Sequence, residues 1–112
     1  MAKLGTVDFT GKSGTTYTFT VYEIDTSFKK LGGVYFFTVR EKKSGENGYT
    51  HVKKVYVGQT GDLPTRFDNH HKMACIEREN ANCICILSEP NETNRLEIET
   101  DLVGNYNPVC NG

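Results

Sequence analysis

The chain has 112 residues, 37% of them hydrophobic and 24% charged, with a formal net charge of −1. That length suits a single domain that can bury a core unaided, and the composition excludes a disordered chain. No apolar run reaches the roughly 18 residues a membrane span needs, and the start, Met1 to Asp8, lacks the apolar stretch of a secretory signal, so a cytoplasmic protein without membrane contact is expected.

Residues 6–10 and 15–24 read as a hairpin, because Tyr17, Phe19 and Val21 alternate with threonines and Gly11-Lys12-Ser13-Gly14 supplies the turn. Residues 33–40 and 52–58 are rich in β-branched and aromatic side chains and predict a second strand pair, joined by the polar loop from Glu41 to Thr50. A helix is expected from Asp62, with Asp62 as N-cap and Pro64 in the first turn; Leu63, Phe67 and His70 or His71 would share its face. Residues 81–87 predict a short apolar strand. Pro90 and Asn91 open a second helix that Gly104 and Pro108 should end. The chain is then one domain, residues 1–112, with residues 1–31 as a hairpin extension and 33–112 as the core. The hairpin should add an edge to the same sheet.

Charge is divided along the chain: residues 1–72 carry 11 basic and 7 acidic groups, residues 73–112 carry 2 and 7. A nucleic-acid-binding surface would therefore lie on the first part, where Lys29, Lys30, Arg40, Lys42, Lys43, Lys53, Lys54 and Arg66 could meet phosphates. The same lysines also read as ordinary solvated loop residues. Without a secretory signal the four cysteines are expected as thiols. Cys83 and Cys85 alternate with Ile84 and Ile86 as buried strand positions do, and no Cys-x-x-Cys pair supports a zinc site with Cys75. His51 and His71 read as loop and helix-surface residues.

Phosphodiester hydrolysis requires a base, a cation for the charge developing on phosphorus, and a group to hold the leaving oxygen. Tyr35 and Tyr56 end on the paired strands, so their phenols could converge, and Gly33 and Gly58 beside them would let a phosphate backbone approach. A free phenol, with a pKa of about 10, needs a neighbour such as Arg66 to lower it before it can activate water. Arg66 and His70 stand four apart at helical spacing, the first suited to clamp phosphate and the second to orient water or pass a proton. Glu99 on the second helix could hold Mg²⁺, which commonly takes one carboxylate and keeps several waters. Each residue alone has an ordinary explanation in packing or surface; the conjunction suggests a site.

That conjunction resembles the GIY-YIG nuclease superfamily over residues 33–112. Gly33-Val34-Tyr35 and Tyr56-Val57-Gly58 match the two signature runs, with valine for isoleucine in both. Arg66 follows Gly58 by eight, His70 follows one helical turn later, Glu99 precedes Leu102-Val103 by three, and Asn111 follows Pro108. The resemblance implies an α+β fold, a small antiparallel β-sheet of three core strands plus the N-terminal hairpin, flanked by helices. It implies a metal-dependent endonuclease acting on nucleic acid, DNA in the first place, with Tyr35, Tyr56, Arg66, His70, Glu99 and Asn111 as catalytic residues, either tyrosine as the base, and Mg²⁺ or Mn²⁺ at Glu99. Gly58, Gln59, Lys53 and Lys54 would contact the nucleic acid, although Gln59 stands where many members carry a lysine. With no room for a separate targeting module, a homodimer or a protein partner would supply specificity. A catalytically inactive module of this fold, binding nucleic acid or protein, is the alternative.

Overall fold

The computed structural model describes residues 3–43, 48–68 and 70–111; residues 44–47 of the expected Glu41–Thr50 loop lie outside the described residues, as do residues 1, 2, 69 and 112. The elements run β1 (Lys3–Thr10), β2 (Thr16–Glu23), β3 (Gly33–Lys42), β4 (Tyr49–Thr60), α1 (Leu63–Asp68), α2 (Met73–Arg78), β5 (Cys83–Ser88) and α3 (Glu92–Tyr106). All strand pairings are antiparallel, in the order β1-β2-β5-β3-β4. This is the α+β sheet expected, and the N-terminal hairpin extends it by pairing β2 with β5.

Central strand β3 is covered on both faces, so its side chains sort by the twofold strand period. Val34 and Phe36 join Phe9, Phe19, Val21, Val57, Cys83, Cys85 and Leu102 in a core beneath α3. Tyr35 and Phe37 point the other way, into a core with Val55, Tyr56, Leu63, Ile76, Ile84, Ile86 and Cys110 beneath α1 and α2. Gly33 is required by close approach, since a Cβ there would come 2.7 Å from the Leu87 carbonyl oxygen on the neighbouring strand.

The caps follow local chemistry. Asp62 accepts from the Thr65 amide through Oδ1 and from the Thr65 hydroxyl through Oδ2, and Asn91 accepts from the Asn94 amide, so both helices start where a short polar side chain satisfies a free N–H. Two boundaries differ from expectation. The first helix stops at Asp68 and a second, α2, starts at Met73, because His70 turns to the sheet, where Nε2 meets the Tyr35 hydroxyl, and its Nδ1 takes up the Lys72 amide in place of a helical carbonyl. Gly104 lies inside α3; Asn107, at φ 47° in the left-handed region, ends it ahead of Pro108.

The expectation of four thiols is also corrected. Cys75 on α2 and Cys110 near the C-terminus form a disulfide, and only Cys83 and Cys85 are free. The pairing joins residues 35 positions apart, a proximity that follows from α2 and the C-terminal segment packing on the same sheet face. Among the described residues, no helix is long and apolar enough to cross a membrane.

Candidate functional site

The register sets the two tyrosines side by side. Tyr35 lies opposite Gly58 and Phe37 opposite Tyr56, so both phenols stand on the α1/α2 face with ring centroids 6.1 Å apart. Gly58 is what permits this: a Cβ there would come 2.5 Å from the Tyr35 hydroxyl and 2.9 Å from Cε2 of Tyr56. The sequence reading had this glycine admit a phosphate backbone; in the fold it admits a tyrosine ring. Gly58→Ala should therefore displace Tyr35 and destabilise the protein by about 1–3 kcal/mol, the usual cost of overpacking, readable from thermal melts.

His70 does not share a helix face with Arg66, as the spacing suggested; it sits in the α1–α2 connection, buried. Its Nδ1 accepts from the Lys72 amide at 3.0 Å, so the neutral imidazole carries its proton on Nε2. Nε2–H then donates to the Tyr35 hydroxyl at 2.7 Å. Burial first and the Tyr56 charge second push the Tyr35 phenol up. A hydrogen-bond chain runs from the Lys72 backbone amide through His70 to the Tyr35 hydroxyl, with the Tyr56 ring packed beside it.

Burial holds His70 well below the usual range, at about 4, helped by the nearby charges of His71 and Arg66. The unfolded chain therefore takes up a proton near pH 6.5 that the folded imidazole refuses until about pH 4. This contribution to stability is fully present above pH 6.5 and is lost as the pH falls toward 4; with partial solvent screening it amounts to about 2–3 kcal/mol. Urea midpoints measured across that range should fall in the wild type, and His70→Gln should lack that component of the slope.

Arg66 on α1 and Glu99 on α3 complete the cluster. The Arg66 charge lowers the pKa of both tyrosines, of His70 and of Glu99, while the Glu99 charge raises those of both tyrosines. Burial nevertheless dominates at Tyr35, Tyr56 and Glu99, and all three are pushed up. The expected lowering of a tyrosine by Arg66 is present, but burial outweighs it. Glu99 is half-buried, has its charged form favoured by the Arg66 charge and the Gln59 backbone, and has been separated from its acidic neighbour Asp101, which is turned toward the N-terminal hairpin. A carboxylate whose burial is incompletely offset by Gln59 and Arg66 fits a hard cation with water ligands.

Asn111 serves the strand edge. Its side chain accepts from the Val57 amide at 2.9 Å and donates to the Val57 carbonyl at 2.9 Å, while the Cys110 amide bonds the Val55 carbonyl. The C-terminal segment so covers the outer edge of β4 next to Tyr56 and Gly58. Lys53 is engaged by Glu79, and Lys54 donates to the His51 carbonyl and lies over the Tyr106 ring. Burial lowers the Lys54 pKa. Both lysines, expected to contact nucleic acid, have partners within the fold.

Arg95 was missed by the sequence reading. It is 6% exposed, and donates through Nε to the Gln59 side chain and through a guanidinium nitrogen to the Glu89 and Pro90 carbonyls. It holds the Gln59 side chain, while the backbone of the same residue faces Glu99. Its signal was faint: an arginine one helical turn before Glu99. Comparison with known proteins adds no relative to this geometry, since no family model, curated protein or solved structure matches the chain.

Proposed function

We propose that the protein is a metal-dependent phosphodiesterase acting within nucleic acid, DNA first, as the GIY-YIG resemblance implies. The observation that carries this reading is the convergence of Tyr35, Tyr56, His70, Arg66 and Glu99 from five separate segments into one electrostatically coupled cluster. Perturbed titratable groups of complementary chemistry gather most often at working sites.

Tyr56 is assigned as the base. It is the more exposed of the pair, 8% against 1% for Tyr35, and the Tyr35 hydroxyl is already engaged by His70. Tyr35 and His70 position it. Arg66 neutralises the phosphate charge through its planar fork. Glu99 would hold Mg²⁺ or Mn²⁺, which would supply charge stabilisation for the phosphate under attack and the departing oxygen. Arg95 and Gln59 position Glu99, and Asn111 keeps the β4 backbone beneath Tyr56 in register.

The test is nicking of supercoiled plasmid, beside labelled single-stranded, branched and RNA substrates, with Mg²⁺, Mn²⁺ or chelator. Wild type is expected to cleave only with metal, and Glu99→Ala to lose that metal-dependent cleavage while keeping its circular dichroism spectrum. Equal background from both proteins on every substrate would sink the enzymatic reading and leave the non-catalytic binding module.

A further inference from the structure

Behind β3, on the sheet face opposite the tyrosines, lies a second cluster of chemically active side chains. His51, expected as a loop residue, stands on β4, while Cys83 and Cys85 stand on β5. Strand β3 separates these two strands, with Arg40 opposite His51 and Thr38 opposite Cys83. Two register irregularities in the β3–β4 ladder, between Phe37 and Thr38 and between Val39 and Arg40, flank the place where His51 reaches across. Its Nδ1 comes 2.7 Å from the Thr38 hydroxyl and 3.9 Å from Cys83 Sγ. Cys83 and Cys85, two apart on one strand, present their sulfurs to the same face. The His51 nitrogen and the two sulfurs all lie within 4.8 Å of one another.

We propose that His51 Nδ1, Cys83 Sγ and Cys85 Sγ form a binding site for a thiophilic cation, Zn²⁺, with the Thr38 hydroxyl or a water as fourth ligand. Tetrahedral bonds of about 2.3 Å to sulfur and 2.0–2.1 Å to nitrogen place ligand atoms about 3.5–3.8 Å apart. From the 4.8 Å limit the spacings need a contraction of at most about 1.3 Å, within reach of side-chain torsions. Charge selects the ion. Both sulfurs belong to fully buried residues beside Phe9, Phe19 and Phe36, where two thiolates with Zn²⁺ and a neutral imidazole sum to zero. A monovalent cation would leave a net negative charge in that core. Binding forms two Zn–S bonds and one Zn–N bond and releases the two thiol protons to solvent, with no change of oxidation state.

His51 also provides the way in. It is half-buried and lines a cavity of about 200 Å³ with Gly5, Val7, Arg40 and Tyr49, at the end of the sheet between the N-terminal hairpin and β4. A cysteine nucleophile activated by His51 is the competing use of the same atoms. It fails on access, because Cys83 and Cys85 are each 0% exposed. The site is independent of Glu99 and of the hydrolase reading.

The experiment is Co²⁺ titration of the chelator-treated full chain with the Cys75–Cys110 bond intact and Cys83 and Cys85 confirmed as free thiols. One equivalent of Co²⁺ should saturate a thiolate-to-cobalt charge-transfer absorption, Zn²⁺ should displace it, and Zn²⁺ should raise the melting temperature. Outer-shell changes cost 10–100-fold in metal affinity, so removing a direct ligand with His51→Asn should weaken Co²⁺ binding by at least about 100-fold. Cys85→Ser should roughly halve the charge-transfer intensity, as one of two thiolates is lost. Glu99→Ala should bind Co²⁺ here as the wild type does. A folded wild type without charge-transfer absorption at excess Co²⁺, or His51→Asn with unchanged affinity, overturns the proposal. Because His51 is only half-buried, that variant decides the matter even where Cys85→Ser fails to fold.

Discussion

Tyr56→Phe is expected to lower cleavage by about 10²–10⁴-fold, the usual worth of a positioned general base, and to leave stability nearly unchanged. The reason is the hydrogen-bond chain, which runs from the Lys72 amide through His70 to the Tyr35 hydroxyl, so removal of the Tyr56 hydroxyl leaves that chain intact. Tyr35→Phe differs: it deprives the buried Nε2–H of His70 of its acceptor and should destabilise the fold by about 1–3 kcal/mol, lowering activity through misplacement of Tyr56. The pH profile separates the two roles. Burial and the Glu99 charge hold the Tyr56 phenol above its ordinary value, so its phenolate is a minor species near neutrality. Cleavage by the wild type should rise about tenfold per pH unit from neutral into the alkaline range, with no plateau below the ordinary tyrosine pKa of about 10. Residual activity in Tyr35→Phe should keep that slope; in Tyr56→Phe it should be flat. A flat wild-type profile would remove Tyr56 from the role of base.

Reduction of the Cys75–Cys110 disulfide is expected to cost about 4 kcal/mol of stability. The bond closes a loop of 35 residues spanning β5 and α3, and the loop-entropy relation returns about 3.8 kcal/mol for that length at 25 °C. For a domain of this size the melting temperature should fall by roughly 15 °C. The loss should be felt at the site, because Cys110 and Asn111 cover the β4 edge beside Tyr56 and α2 follows directly on His70. Paired melts of the oxidised chain, the reduced chain and Cys75→Ala/Cys110→Ala test this. Equal melting temperatures for oxidised and reduced protein would show that the bond adds no net constraint.

The two metal hypotheses use opposite chemistries and can be told apart. Glu99 offers a single carboxylate beside Gln59 and Arg66, suited to a hard ion that keeps its water. His51, Cys83 and Cys85 offer nitrogen and sulfur in the core beneath the other sheet face. Chelation that abolishes cleavage but leaves thermal stability unchanged would speak for the first alone. A loss of stability would speak for the second.

The five strands, the cap at Asp62 and the helix start at Pro90 and Asn91 were legible from residue order, because they depend on the strand period, turn glycines and short polar side chains acting on neighbouring backbone. The candidate residues Tyr35, Tyr56, Arg66, His70 and Glu99 were also named from their spacing, but their relation in space was not. Whether Arg66 or burial governs the tyrosine pKa values is a balance of solvent exclusion against charge, and solvent exclusion exists only once α1, α2 and α3 are packed. The helix break that frees His70, the pairing of Cys75 with Cys110, the β4 cover made by Asn111 and the reach of His51 across β3 to Cys83 all join residues distant in the chain. Local propensity carries no information about such pairs. Strand order and register decided them.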